Sequence, residues 1–391
     1  MKRITKLILV LLACYSFLDG TAQKYIDTKA IQTDGYDIPI RIKLPKKTTG
    51  KNPVYFFVHG GGWNGGDAKN VPPARLHNDV NYLADQLGVI YVGLAYRCKG
   101  NYATFSDAIE DLEASVQWFF DNADTYNADI TRIGFGGASA GSTLAAIMAQ
   151  KYTNCKLLVG AEGMYNLVEH SEERSLFPNQ KARIAYGLAT ENESKKASAY
   201  YNLSENPPNT LLLHGDADVL CHYTQSIKFA EKIKSQGGNA KVVLHKDINH
   251  TTLNPSIPDV FKESVLEIAA LFIDCFNLNK NTTSLKALLD KRLKNQYPSS
   301  EINESKLVGS WTRLQTKVVF KKNGKGFIEN IKTKKRHEFN YSFTNDYIKI
   351  DITNSSKVKI FKLKKNTNFI CEHIKEGKRI HRRFLYKKQK S

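Results

Sequence analysis

Six short, nearly continuous apolar runs constrain this chain more than any other feature. They are Val54–Val58, Val89–Val92, Arg132–Phe135, Leu157–Val159, Thr210–Leu213 and Val242–Leu244. A strand covered on both faces loses the alternation of apolar and polar residues, so such runs suit the interior of a parallel sheet. Helical spacing fills the intervals, over Ala74–Leu87, Ser106–Asn122, Tyr223–Ser235 and Pro258–Phe276. In the second of these, Ala108, Leu112, Val116 and Phe119 share one face, and Asp107, Glu110 and Asp111 sit near the start, where the helix dipole favours them. Alternating strands and helices over residues 23–276 predict one α/β domain, with a mostly parallel central sheet and helices on both faces. Tyr36–Leu44 alternates instead, which predicts an antiparallel hairpin at the sheet edge.

Within that frame, Gly137–Gly141 reads Gly-Ala-Ser-Ala-Gly between the run ending at Phe135 and a small-residue helical stretch, Ser142–Ala149. A strand, a tight glycine turn and a helix form the context in which G-x-S-x-G becomes a nucleophile elbow. Small neighbours let the backbone take a strained turn that exposes Ser139 Oγ. The N–H of Ala140 then opens a helix and points at whatever that oxygen attacks.

A serine acting on an acyl group needs a base, an acid that orients the base, and donors for the developing oxyanion. His250 follows the last strand-like run, where a loop at the carboxyl edge of the sheet would deliver an imidazole. Asp218 follows Thr210–Leu213, with Asp216 as a rival; Asp247 lies too close in sequence to reach the far ring nitrogen of His250. His59-Gly60-Gly61-Gly62-Trp63 follows Val54–Val58, and its glycines permit backbone conformations that bring N–H groups close to a ligand. Gly61, Gly62 and Ala140 are the expected oxyanion donors, and Ser139 and His250, with Asp218 or its rival Asp216, the expected catalytic set.

Together these motifs, with Tyr96-Arg97 and His214–Asp218, resemble the α/β-hydrolase superfamily. Within it they are similar to bacterial carboxylesterases related to hormone-sensitive lipase and to feruloyl and acetyl-xylan esterases. The resemblance covers roughly residues 30–276 and implies hydrolysis of short-acyl or carbohydrate-linked esters without a metal or other cofactor. It also implies Asp218 as the acid, the second acidic position of the family's His-Gly-x-x-Asp pattern. The chain departs from that pattern at Cys221-His222, where many relatives have Val-Pro, and at Asn249, where glycine is common. The His-Gly-Gly-x-Trp form also looks like kynurenine formamidases, which leaves a formamide substrate as an alternative. Trp63 and Tyr96 adjoin active-site loops and are expected to bind substrate. Residues 160–205 are where relatives insert a cap, and Glu162, Met164, Tyr165, Phe177, Tyr186 and Tyr200 are its candidate lining.

The remaining segments bear on location. Lys2, Arg3 and Lys6, the apolar Leu7–Leu18 and small residues at Gly20 and Ala22 have the form of a secretion signal over residues 1–22. Its apolar part is shorter than the roughly 20 residues a membrane span requires. Leu11–Cys14 loosely resembles a lipobox, the alternative being lipid anchoring at Cys14. The five later cysteines have no metal-ligand or disulfide spacing and read as buried thiols. Charge is strongly uneven: Lys280–Ser391 holds 29 Lys+Arg against 9 Asp+Glu, whereas the rest holds 28 against 29. Residues 277–305 read as a linker with a short helix at Ser284–Lys294. Residues 306–391 read as an all-β meander or small barrel, weakly lipocalin-like at Leu307–Trp311, with strands from Trp311–Phe320 to Arg379–Tyr386. Its lysines alternate with β-branched residues, as on the solvated face of a half-buried sheet. An anionic polysaccharide or cell surface is the partner such a face would suit, in preference to nucleic acid. A surface-binding protein with a silent hydrolase domain is the competing reading of the whole.

Overall fold

A computed structural model describes residues 25–31, 35–46, 50–64, 83–98, 103–169, 186–218, 220–250, 252–254, 257–296, 307–313, 315–343, 348–352, 358–363, 369–376 and 379–388. The signal-like segment 1–22 with Cys14, most of the helix expected over Ala74–Leu87, and Phe177 lie outside those residues.

The sheet is built from β1 (Ile26–Ile31), β2 (Asp37–Lys43), β3 (Asn52–Val58), β4 (Ile90–Leu94), β5 (Ala128–Ala138), β6 (Cys155–Ala161), β7 (Asn209–Gly215) and β8 (Ala240–His245). Their order is β1-β2-β4-β3-β5-β6-β7-β8. β1 and β2 form the expected antiparallel edge hairpin, β2 joins β4 antiparallel, and every later pairing is parallel. Among the described residues, the strands are followed in turn by α1 (Phe105–Asp121), α2 (Ala140–Lys151), α3 (Glu191–Lys196), α4 (Thr224–Ser235) and α5 (Pro258–Cys275).

β3 shows why its sequence carries no alternation. Val54, Phe56 and Val58 join a core with Leu112, Val116 and Phe119 of α1, while Tyr55 and Phe57 join a second core with Phe261 and Phe272 of α5. Each face of the sheet is thus covered by its own helical layer. α2 lies closest to the centre and is buried on all sides from Ala140 to Ala149, as its alanine-rich sequence allows. α1 starts on a capping box between Thr104 and Asp107. Asp111, expected only to favour the helix start, is fully buried instead, taking the Arg97 backbone N–H at 2.7 Å and its Nη2 at 2.8 Å. Arg97 directly follows Tyr96, so this ion pair pins the segment leaving β4.

The helix expected inside the linker is α6 (Thr283–Gln296), and it is docked. Leu285, Leu289 and Leu293 enter the second core, and Lys262 of α5 bonds Asp290 at 2.7 Å. Packing of the hydrolase body therefore runs about twenty residues past the expected boundary at 276. The three leucines lie four apart, a spacing that shows an apolar stripe, but its partner lies in α5 and cannot be read locally.

Eight further strands, β9 (Gly309–Arg313), β10 (Thr316–Phe320), β11 (Lys325–Asn330), β12 (Arg336–Phe343), β13 (Ile348–Ile352), β14 (Val358–Leu363), β15 (Phe369–Glu376) and β16 (Arg379–Lys388), close into an antiparallel barrel. The run expected as one strand over Trp311–Phe320 is two antiparallel strands, with Thr316 opposite Arg313. That hairpin supplies the eighth strand: β9 pairs with both β10 and β16, which leaves no open edge. Trp311, Val318, Phe320, Phe339, Tyr341, Ile348 and Ile350 fill the interior, and the Trp311 indole N–H donates to the Leu307 carbonyl at 2.8 Å.

Leu289→Ala tests the extended boundary. It should destabilise the hydrolase body by about 2–5 kcal/mol, the usual cost of a buried leucine truncation. Urea unfolding monitored by near-ultraviolet dichroism reads this, and an unchanged midpoint would show that α6 is not part of the core.

Candidate active site

The elbow forms where β5 gives way to α2. Ser139 takes φ 56° and ψ −127°, a conformation rare for a residue with a Cβ. Such strain persists where the surroundings over-determine it. Here the Ser139 N–H donates to the Ala161 carbonyl at 2.8 Å, and the Ser139 carbonyl accepts from Ser142 N–H at 2.9 Å. The flanking glycines are required by contact. A Cβ on Gly137 would lie 2.4 Å from Gly141, and one on Gly141 would lie 2.2 Å from the Val58 carbonyl oxygen and 2.4 Å from that of His59. The start of α2 is thereby pressed against the end of β3 and the loop that leaves it. Ala140 is the first residue of α2, where a backbone N–H has no partner within the helix.

That loop is the expected oxyanion segment. Gly61, Gly62 and Trp63 all have positive φ, at 131°, 62° and 55°. A Cβ on Gly60 would lie 3.2 Å from Ser139 Cβ, so the loop crosses directly over the nucleophile. Trp63 and Tyr96 hold it from below. Trp63 is 1% exposed and packs among Phe105 and Tyr186. Tyr96 is 4% exposed; its hydroxyl donates to the His59 carbonyl at 3.1 Å and its ring stacks on the His59 imidazole with centroids 4.4 Å apart. The structure thus places both rings under the loop, where sequence reasoning expects them to line the pocket.

Asp218 and His250 meet after β7 and β8. His250 Nδ1–H donates to Asp218 Oδ2 at 2.6 Å, and Asp218 Oδ1 accepts the N–H groups of Leu220 at 2.7 Å and Cys221 at 3.0 Å. Burial alone would raise the Asp218 pKa, yet the hydrogen bonds from His214 and His250 hold it far below the usual carboxylate range. His214 is a contributor that sequence reasoning missed. Its Nε2 stands 3.1 Å from the Cys221 carbonyl and 3.3 Å from Asp218 Oδ2, while its Nδ1 stands 2.7 Å from Ser226 Oγ. A carbonyl only accepts, so Nε2 carries a hydrogen. The signal was its place four residues before Asp218, at the buried end of β7. Asp216, the rival acid, takes the Asp247 N–H at 2.6 Å and shapes the turn after β8 instead.

The same logic fixes His250. With Nδ1–H spent on Asp218, the lone pair lies on Nε2, which is buried and makes no hydrogen bond among the described residues. Ser139 and His250 are therefore not yet bonded to each other, and catalytic contacts of this kind tighten on substrate binding. The two are nonetheless tethered to adjacent residues. Ser139 N–H bonds Ala161, and Thr252 N–H, two residues beyond His250, bonds the Glu162 carboxylate. Of the remaining candidate lining, Tyr165 and Tyr186 are wholly buried, Met164 nearly so and Tyr200 half-buried; Tyr165 stacks on Phe229 and shares a hydrogen bond with Ser142. Cys98, Cys155, Cys221 and Cys275 are free thiols. Among the described residues, no group of three His, Cys, Asp or Glu could hold a metal ion.

Burial lowers the His250 pKa, but the Asp218 hydrogen bond and the charges of Glu162 and Asp218 outweigh it, leaving a net rise above the ordinary histidine value. The base must be neutral to act, so the acid limb of the kcat/KM profile should lie above about pH 6.5. By the same sign, the stability His250 contributes is complete below its unfolded pKa and is lost as pH rises through the folded one. A half-maximal rate below pH 6 would contradict this charge arrangement.

A family model described as BD-FAE matches residues 40–233, a span that includes the elbow, the oxyanion loop and Asp218. The chain is 36% identical over 118 residues to arylacetamide deacetylase of Bos taurus, covering 29% of each protein. It is 34% identical over 127 residues to carboxylesterase NlhH of Mycobacterium tuberculosis, covering 32% of this chain and 38% of that one. It spans only about a third of the length of these curated relatives. Among solved structures, Thermogutta terrifontis esterase 2 phosphonylated by sarin superposes with a TM-score of 0.57 at 19% identity, over 66% of this chain and 96% of that one, a likeness of fold. Sheet order, elbow and the match over residues 40–233 together support an α/β-hydrolase of carboxylesterase type.

Proposed function

We propose that this chain is a serine hydrolase of carboxylic esters, acting on short-acyl or carbohydrate-linked substrates through an acyl-enzyme on Ser139. The observation that carries the reading is the 2.6 Å bond from His250 Nδ1–H to a buried Asp218, which leaves Nε2 as the unprotonated nitrogen. The carboxylesterase and deacetylase relatives support the same reaction class.

In this mechanism Ser139 Oγ attacks the ester carbonyl carbon while His250 Nε2 accepts the hydroxyl proton. Asp218 stays ionised and stabilises the imidazolium, as its depressed pKa requires. The carbonyl oxygen becomes an oxyanion held by the N–H groups of Ala140, Gly61 and Gly62. Collapse breaks the bond to the alcohol oxygen, which leaves with the proton from His250. Water then attacks the acyl-serine by the same route, releasing the carboxylic acid and restoring Ser139. We further read residues 1–22 as a secretion signal, a reading that amino-terminal sequencing of protein recovered outside the cytoplasm would decide. The basic barrel would then face acidic polymer at the cell surface; retention of the intact protein on an anionic polysaccharide column, lost at high salt, tests that.

Ser139→Ala should lower p-nitrophenyl acetate turnover by about 10³-fold or more while leaving the fold intact. Equal rates for the two proteins would sink the ester reading.

A further inference from the structure

Glu162 is a buried acid for which the mechanism above has no use. It directly follows β6, is 4% exposed, and has φ 55°, a left-handed conformation unusual for a side chain of its size. Its backbone is fixed there, since its N–H donates to the Leu213 carbonyl of β7 at 2.9 Å. Its side chain accepts from Thr252 N–H. The preceding residue, Ala161, accepts from Ser139 N–H. One dipeptide at the end of β6 therefore grips both the nucleophile and the segment that follows the base.

Burying a carboxylate is costly, and structures keep one where its charge is used. The groups around His250 show which use is available. From the β7 side come Asp218, with His214 bonded behind it, and the buried Cys221 thiol, whose pKa is raised by burial and then by the charges of Asp218 and Glu162. From the β6 side comes Glu162 itself. Behind Thr252 lies His245 of β8, whose Nδ1 is 3.4 Å from Glu263 and whose Nε2 contacts the Ser264 hydroxyl at 3.0 Å, and that hydroxyl is 3.3 Å from the Thr252 carbonyl. Glu162 and Asp218, buried carboxylates at the neighbouring ends of β6 and β7, both favour the charged form of His250, and His250 is the group whose charge changes during the reaction.

Resting on the serine-hydrolase reading, we propose that Glu162 is a positioning residue of that reaction. Its carboxylate clamps the segment behind His250 to the end of β6, whose Ala161 carbonyl holds the elbow through Ser139 N–H, and its negative charge favours the imidazolium formed when Ser139 attacks. Asp218 orients the ring through a hydrogen bond, whereas Glu162 acts through Thr252 and through space.

Glu162→Gln separates charge from clamp, since the amide oxygen can still accept from Thr252. The measurement is the imidazole titration of His250, followed by NMR in protein labelled at histidine and assigned by its loss in His250→Gln, together with the pH profile of kcat for p-nitrophenyl acetate. The proposal predicts that Glu162→Gln lowers the His250 midpoint by about half a pH unit or more. The acid limb of kcat should move down by the same amount, and the plateau rate should fall several-fold. An unchanged midpoint overturns the proposal, including when unfolding becomes easier, because that pattern is a structural role alone. Glu162→Ser also removes the charge and is read in the same way should the amide not be accommodated. The titration is read on the ring, so it decides the role of Glu162 even if Ser139→Ala leaves ester hydrolysis untouched, an outcome that would remove the ester reading alone.

Discussion

The close approach of Gly141 to the carbonyls of Val58 and His59 is the constraint on which the rest of the site depends. No side chain fits there, since a Cβ would sit 2.2 Å from an oxygen. The contact brings the first turn of α2 against the end of β3, and this sets Ser139 on its strained, positive-φ turn with the His59–Trp63 loop lying over it. Helix start and loop thus both lie against Ser139, and backbone donors from these two segments would meet the oxyanion in the proposed mechanism. Rigid burial of α2 keeps that geometry from relaxing, and the stacked His59–Tyr96 pair and the Arg97–Asp111 ion pair brace the loop from beneath.

The second half of the site is electrostatic. Four hydrogen-bond donors gather on Asp218: two backbone N–H groups, His214 and His250. Together they keep the carboxylate ionised despite complete burial of its side chain. His214 Nε2 and His250 Nδ1 each direct a hydrogen at an oxygen partner, the Cys221 carbonyl and the Asp218 carboxylate. Glu162 adds a second negative charge at the neighbouring strand end, and the pull of both acids on His250 exceeds the desolvation that would otherwise lower its pKa.

Much of this was legible in the sequence, for identifiable reasons. Buried parallel strands lose their alternation, so β3, β4, β6 and β7 stood out as apolar runs, and the spacing of glycines around Ser139 records a contact that only glycine permits. Asp218 and His250 could be placed because each follows a strand whose carboxyl end lies at the site. Other features depended on partners distant in sequence. Nothing local says that Asp111 is paired with Arg97, that Trp63 and Tyr96 turn inward, or that α6 docks on α5. Nor does the sequence show that Thr316–Phe320 folds back on Gly309–Arg313, since no Asn-Gly signal like that at Asn323-Gly324 lies between them. Glu162 was visible as a candidate lining residue, but its tie to Thr252 spans 90 positions and emerges only when β6 and β8 lie in one sheet.

All of this chemistry requires Ser139 to be the single activated nucleophile. Treating the intact protein with a fluorophosphonate and mapping the adduct by peptide mass spectrometry tests this directly. One adduct is expected, on the peptide containing Ser139, formed much more slowly in His250→Gln. Labelling of another residue, or labelling of Ser139 at the same rate without His250, would contradict it.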